Sequence, residues 1–179
     1  MKKTVAAVLL FVVTLTLCSC SGSSFYDNAV AIFDSPYRAT VRIAEGGEIF
    51  EAEVVRSEDG TLEISFLEPS LLCGISYGFD QDDGYISYGG MSVKLEDGSA
   101  KDKVSRGVYV WRKMLEPEKD GITGRKIKDG EKTYAVISDG QTEYKIDAKT
   151  GAPLLATYGE TVISFTEFEK YAELPEGTG

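Results

Sequence analysis

The chain has 179 residues, with 29 acidic and 19 basic side chains, three cysteines and no histidine. The missing histidine excludes Ser-His-Asp and Cys-His catalytic pairs and His-ligated zinc, copper or haem. A formal charge of −10 argues against nucleic-acid binding, which needs cations to neutralise phosphate, and a composition 42% hydrophobic and 27% charged is that of one folded domain.

The N-terminus reads as an address. Lys2 and Lys3 form a short basic region, and Val5 to Leu17 follows without a charge. That run is too short for a comfortable membrane span and leads into small residues, as a cleaved signal does. It ends in Leu17-Cys18-Ser19-Cys20-Ser21-Gly22, which resembles the lipobox of bacterial lipoproteins. Leu17 stands three positions before Cys20 and the small Ser19 directly before it. The resemblance implies cleavage before Cys20 and a diacylglyceryl thioether on its sulfur, with Cys18 as the alternative site. Acyl chains contribute about 0.8 kcal/mol per buried methylene, enough in combination for firm anchoring.

Cleavage would leave Cys73 as the one free thiol, and with no basic residue flanking it, it is expected to be a buried small hydrophobe. Removing residues 1–19 deletes two lysines and no acid, leaving 29 acids against 17 bases, or −12. An acidic body is repelled by an anionic bilayer, so acyl chains are expected to do the anchoring.

Past the flexible Ser21–Ser24 tether, the main signal is Asp-Gly punctuation: Asp59-Gly60, Asp83-Gly84, Asp97-Gly98, Asp120-Gly121, Asp129-Gly130 and Asp139-Gly140, with Gly46-Gly47 as a further turn. Such pairs tolerate the positive φ of hairpin turns. Between them the apolar residues alternate. Arg38 to Glu45 and Glu48 to Ser57 flank Gly46-Gly47, with Phe50, Ala52 and Val54 on one face. Leu62, Ile64 and Phe66 repeat the period, as do Ile75, Tyr77 and Phe79. Tyr134–Ile137, Thr142–Ile146, Leu154–Thr157 and Thr161–Phe168 continue it. The pattern predicts a meandering antiparallel sheet with one apolar face.

Lys101 to Leu115 breaks the period. Val104, Val108, Trp111 and Leu115 fall at i, i+4, i+7 and i+11, which predicts an amphipathic helix about 22 Å long. Pro117 suits a stop soon after it, and Gly107 suggests close approach to the sheet. A short helix before Phe33 is also expected. The fold class is therefore mainly β (α+β): a curved antiparallel sheet or half-barrel with one long amphipathic helix on its concave face.

This order of parts resembles the LolA-like superfamily of lipoprotein carriers and their lipoprotein relatives in Gram-positive bacteria. The resemblance covers most of residues 33–170. It rests on Phe33 with Pro36, the strands around Gly46-Gly47, Glu68-Pro69-Ser70-Leu71-Leu72-Cys73-Gly74-Ile75, Tyr88-Gly89-Gly90, and the closing Ile146-Asp147-Ala148-Lys149-Thr150-Gly151-Ala152-Pro153 turn. It implies an open half-barrel that accepts acyl chains or another hydrophobic ligand. The carrier is soluble and periplasmic, whereas this chain has a lipobox, so holding or sensing a ligand suits it better than shuttling one. The organisation expected is a signal over 1–19, a lipidated Cys20 and tether over 20–32, a LolA-like domain over 33–172 and a tail over 173–179.

A broad one-faced sheet with a single covering helix makes Phe50, Val54, Leu62, Ile64, Phe66, Val108 and Trp111 the candidate lining of an apolar site. The other expectation is an interaction module of the cell envelope or spore, of the germination-lipoprotein kind, with the concavity filled and an edge or aromatic patch binding a protein. Tyr77, Tyr85 and Tyr88 crowd one end of the sheet and are expected in the core, with a pocket mouth or partner surface as the other reading. Asp80-Gln81-Asp82-Asp83-Gly84 lacks the ligand spacing of a calcium loop and is expected to be a solvated hairpin tip. No phosphate loop, nucleophile motif or convergent carboxylate pair is visible. The expectation is a non-enzymatic, extracytoplasmic lipoprotein anchored to the cell membrane through acylated Cys20, without cofactor, metal or nucleic-acid partner.

Overall fold

The computed structural model describes residues 26, 29–80, 83–95, 103–118 and 121–171, excepting the side chains of 103–106. The signal segment, Cys20, the Ser21–Ser24 tether, Asp97-Gly98 and the C-terminal tail lie outside the described residues.

Alternating segments form a chain of hairpins. In order they are β1 (Tyr37–Glu45), β2 (Glu48–Arg56), β3 (Leu62–Glu68), β4 (Ile75–Asp80), β5 (Asp83–Tyr88) and β6 (Met91–Leu95), then the helix α1 (Lys103–Leu115). After it come β7 (Thr123–Asp129), β8 (Lys132–Ser138), β9 (Glu143–Asp147), β10 (Pro153–Tyr158) and β11 (Thr161–Lys170). All belong to one antiparallel sheet ordered β6-β5-β4-β3-β2-β1-β11-β10-β9-β8-β7. The chain hairpins outward from β1 to one edge, crosses to the far edge at β7, and hairpins back until β11 pairs with β1. That crossing carries α1 over the apolar face. The sheet is open and curled into a half-barrel, and register shifts at Thr40/Val41, Glu51/Ala52 and Pro153/Leu155 bend its strands.

Gly46-Gly47 closes β1–β2 with φ of 56° and 84°, as a type I′ turn requires. Asp83-Gly84 is different. Asp83 pairs with Asp80, and Gly84 lies inside β5. Its role is packing: a Cβ there would meet Tyr109 Oη at 3.2 Å and Leu95 Cδ1 at 3.3 Å. Strands β5, β6 and β7 had no counterpart in the sequence pattern. All seven residues of β7 are exposed, so no buried face imposes a period of two.

The core lies on the concave face. Tyr37, Ala39, Val41 and Ile43 of β1, Ala52 and Val54 of β2, and Leu62 and Ile64 of β3 are at most 1% exposed. From α1, Val108, Trp111 and Leu115 are buried as the helical spacing requires, joined by Met114. One further segment closes the core. Where a helix is expected before Phe33, residues 29–30 are helical and Ala31–Phe33 is a 3-10 turn, and Ala29, Val30, Ile32 and Phe33 are all buried. The packed body therefore starts earlier than residue 33. Phe33 sits 5.4 Å from the Tyr144 ring and 6.2 Å from that of Phe165, filling the β9–β11 half of the concavity.

Candidate functional site

The concavity is the natural place for a site, since it is where both halves of the sheet converge. Cross-strand pairing puts Phe50, Val54, Leu62, Ile64 and Phe66 on that face, and α1 brings Val108 and Trp111 onto it. The seven side chains do meet. They are between 0 and 7% exposed and belong to one core cluster. Trp111 lies 5.2 Å from Phe50 and 5.9 Å from Phe66, in the tilted and edge-on arrangements that aromatic rings prefer. The concave face is thus occupied by the protein's own side chains.

Polar contacts fix α1 over this surface. Trp111 Nε1 donates to Glu45 Oε2 at 2.9 Å. Gly107 faces the same carboxylate, where a Cβ would stand 2.7 Å from Oε2, so the close approach expected of that glycine is real. Beyond the end of α1, Glu116 accepts from Arg56 Nη1 through one oxygen and Arg112 Nε through the other, both at 2.7 Å. Arg112 also lies over Phe79, 4.9 Å from the ring centroid. The buried Tyr37 hydroxyl and Arg56 Nε have no hydrogen-bond partner among the described residues. Burial is the main reason that the Tyr37 phenol is pushed well above its usual pKa, with the Arg56 charge acting in the opposite direction. Neither Glu45 nor Met114 was marked by the sequence pattern. Glu45 ends a strand beside Gly46 and carries no local sign of its distant partner.

The apolar face runs past the end of α1's cover. Ile75, Tyr88 and Met91 align across β4, β5 and β6, and Tyr77, Ile86 and Val93 form the next row. Tyr77 is buried, but Tyr88, Met91 and Val93 are 59, 68 and 62% exposed. The three tyrosines expected together in the core are therefore separated. Tyr77 is core. Tyr85 is half-buried across Gly78 on the opposite face, where a Cβ would be 1.9 Å from its Cζ. Tyr88 lies on the open strip. Burial is also the main cause of the raised Tyr85 pKa, helped by Glu63.

Cys73 corrects its expectation too. It is exposed, since it follows the outward 3-10 turn Ser70–Leu72, and its thiol lies 2.7 Å from the Leu67 carbonyl oxygen, within hydrogen-bonding reach. Asp80 and Asp83 are exposed partners in the β4–β5 hairpin. Among the described residues no group of three or more potential metal ligands occurs. A surface cleft of about 380 Å³ lies on the other face, lined by residues including Ile127, Tyr134, Val136 and Leu155, with Lys145 Nζ 3.9 Å from the Tyr134 ring centroid. No described helix is long and apolar enough to cross a membrane.

No family model matches the chain, and no curated protein matches it in sequence. Solved structures match its fold. An uncharacterised conserved protein from Thermus thermophilus superposes with a TM-score of 0.52 at 14% identity, over 82% of this chain and 86% of its own. MucB superposes with a TM-score of 0.50 at 12% identity, over 89% of this chain and 62% of that one, so the chain spans less than two thirds of MucB. A looser superposition, TM-score 0.43 at 11% identity, is with a LolA superfamily protein from Nitrosomonas europaea, over 88% and 96% of the two chains. At these identities the likeness is one of fold.

Proposed function

We propose that this chain is a membrane-anchored, extracytoplasmic lipoprotein that acts by binding a protein and catalyses no reaction. The observation that carries this reading is the filled concavity. The seven side chains that would line a ligand chamber are instead packed against one another, and among the described residues an exposed apolar strip of Tyr88, Met91 and Val93 lies at the β5–β6 end. A contiguous exposed apolar strip is the usual mark of a protein-binding surface. MucB, a precedent at the level of fold, has been solved in complex with MucA. The lipobox residues ending at Cys20 support the anchor. The experiment is photo-crosslinking in native membranes from a photoreactive residue at Tyr88. A discrete adduct with an envelope or spore protein is expected. A protein that yields no adduct and instead copurifies with a stoichiometric apolar ligand would refute the reading.

An apolar ligand beneath α1 is the second reading. It is favoured by the contiguous apolar surface under the helix and by the polar character of the contacts that hold it, Trp111 with Glu45 and Glu116 with Arg56 and Arg112. Uptake of a fluorescent fatty acid that stops when α1 is disulfide-stapled to the sheet would move the assignment there.

A further inference from the structure

The N-terminal segment and the basic side chains of the sheet meet at one edge. Tyr26 lies over Gly124 of β7, where a Cβ would stand 2.6 Å from Tyr26 Cδ1 and 3.0 Å from Ile137 Cγ2. Cys20 is six residues upstream of Tyr26. Six residues reach about 21 Å at full extension. An acyl group on Cys20 therefore keeps the bilayer surface close to Tyr26 and to the edge it covers. In the sheet order β6 is the strand furthest from that edge.

The same edge is the basic part of an acidic chain. The β7–β8 hairpin from Thr123 to Lys132 holds Arg125, Lys126, Lys128 and Lys132 against Asp129 and Glu131, or +2. The rest of the chain after residue 19 has 13 bases against 27 acids, or −14. From Ile75 to Leu95, on the far strands, Asp80, Asp82 and Asp83 stand against Lys94. All seven residues of β7 are exposed. Arg125 reaches Glu143 only at 3.5 Å, with both side chains more than half exposed, and Lys128 pairs across the ladder with the neutral Thr133. Between these two cations Ile127 is 38% exposed. Arg125 and Ile127 lie on one face of the strand and Lys128 on the other, so they share a contact only if it is made edge-on. Basic side chains around an exposed aliphatic one suit a headgroup layer.

An anionic bilayer attracts basic side chains lying within a Debye length of it and repels acidic ones. Acyl chains hold the protein against that net repulsion. The uneven charge then sets which way the body turns.

We propose that the β7–β8 edge docks on the anionic headgroups of the bilayer that holds Cys20, through Arg125 and Lys128, with Ile127 entering the headgroup layer and the β5–β6 strip turned away. This rests on the anchor in the proposed function and adds which surface faces the membrane.

The test uses the acylated chain, extracted from its membrane and reconstituted in vesicles. A nitrobenzoxadiazole dye is attached at Ile127→Cys or at Val93→Cys, each in a Cys73→Ser background, and a lipid spin-labelled in its headgroup is the quencher. In vesicles of phosphatidylglycerol and phosphatidylcholine, the dye at 127 should be quenched and the dye at 93 should stay bright. Arg125→Glu together with Lys128→Glu should remove the quenching at 127 while the chain still floats with the vesicles. Tm should not move, because both side chains are exposed. Vesicles of phosphatidylcholine alone should give the same loss. A wild-type chain that does not float would take away the anchor and the docking together. Flotation with equal quenching at 127 and 93, or with quenching at 127 that survives the charge reversal or the change of lipid, would overturn the docking alone. Flotation with no quenching at either position would also overturn it and leave the cations to an acidic protein.

Discussion

Trp111 Nε1 donates a 2.9 Å hydrogen bond to Glu45 Oε2, joining the middle of α1 to the last residue of β1. The bond lies beside Gly107, which approaches the same carboxylate closely. It explains a glycine that costs the helix up to about 1 kcal/mol of propensity against alanine. Gly107→Ala, which would stabilise an isolated helix, should lower Tm here, because the new methyl displaces Glu45 from Trp111. In a Glu45→Ala background the same substitution should be neutral or stabilising. Thermal melts of the two single variants and the double variant read this coupling directly.

The Tyr37 hydroxyl is buried and has no partner among the described residues, so its removal relieves a desolvation cost of about 1–3 kcal/mol. Tyr37→Phe should therefore hold or raise Tm at neutral pH. The pH dependence has a definite sign. The folded pKa lies above the unfolded value of 10.0, mainly through burial. The neutral phenol's contribution is complete below that value and is lost as pH rises through the folded pKa. The advantage of Tyr37→Phe should widen above about pH 10, as melts across an alkaline series would show.

Asp147 titrates in the opposite sense. Its Oδ1 accepts the backbone N–H groups of Thr150 at 2.9 Å and Lys149 at 2.8 Å, and these bonds hold its pKa below 3.8. The charged group's contribution is present above the unfolded pKa and is lost as pH falls through the lower folded value. Asp147→Asn keeps an acceptor and drops the charge. The Tm gap between wild type and Asp147→Asn should be constant from about pH 8 to 5 and close below about pH 4.

The parts of the fold with one wet and one dry face were legible in the sequence. β1 to β3, β9 and the first half of β11 alternate because burial enforces it, and α1 shows its stripe for the same reason. β7 carries no such imprint, because all seven of its residues are exposed, and β6, which does alternate in Met91, Val93 and Leu95, is only five residues long and leaves most of that face exposed. Cys73 misled because its small apolar neighbours, Leu72 and Gly74, belong to an exposed turn. The candidate lining was found as a set of residues. That the set is filled was not visible, because the filling comes partly from Phe33, distant in sequence from the strands it covers and lacking any periodic partner.

The anchor has its own test. Cys20→Ala should abolish incorporation of labelled palmitate and leave the precursor uncleaved, whereas Cys18→Ala should leave both intact. Labelling that survives Cys20→Ala and disappears with Cys18→Ala would move the lipid to Cys18.

The filled concavity is tested most directly by native mass spectrometry of the protein extracted from its membrane. The account predicts one species, beginning at an acylated Cys20 and carrying no further apolar molecule, and no uptake of added fatty-acyl probe. A stoichiometric additional lipid, retained by the wild type and lost when Trp111 or Phe66 is enlarged or made polar, would contradict it.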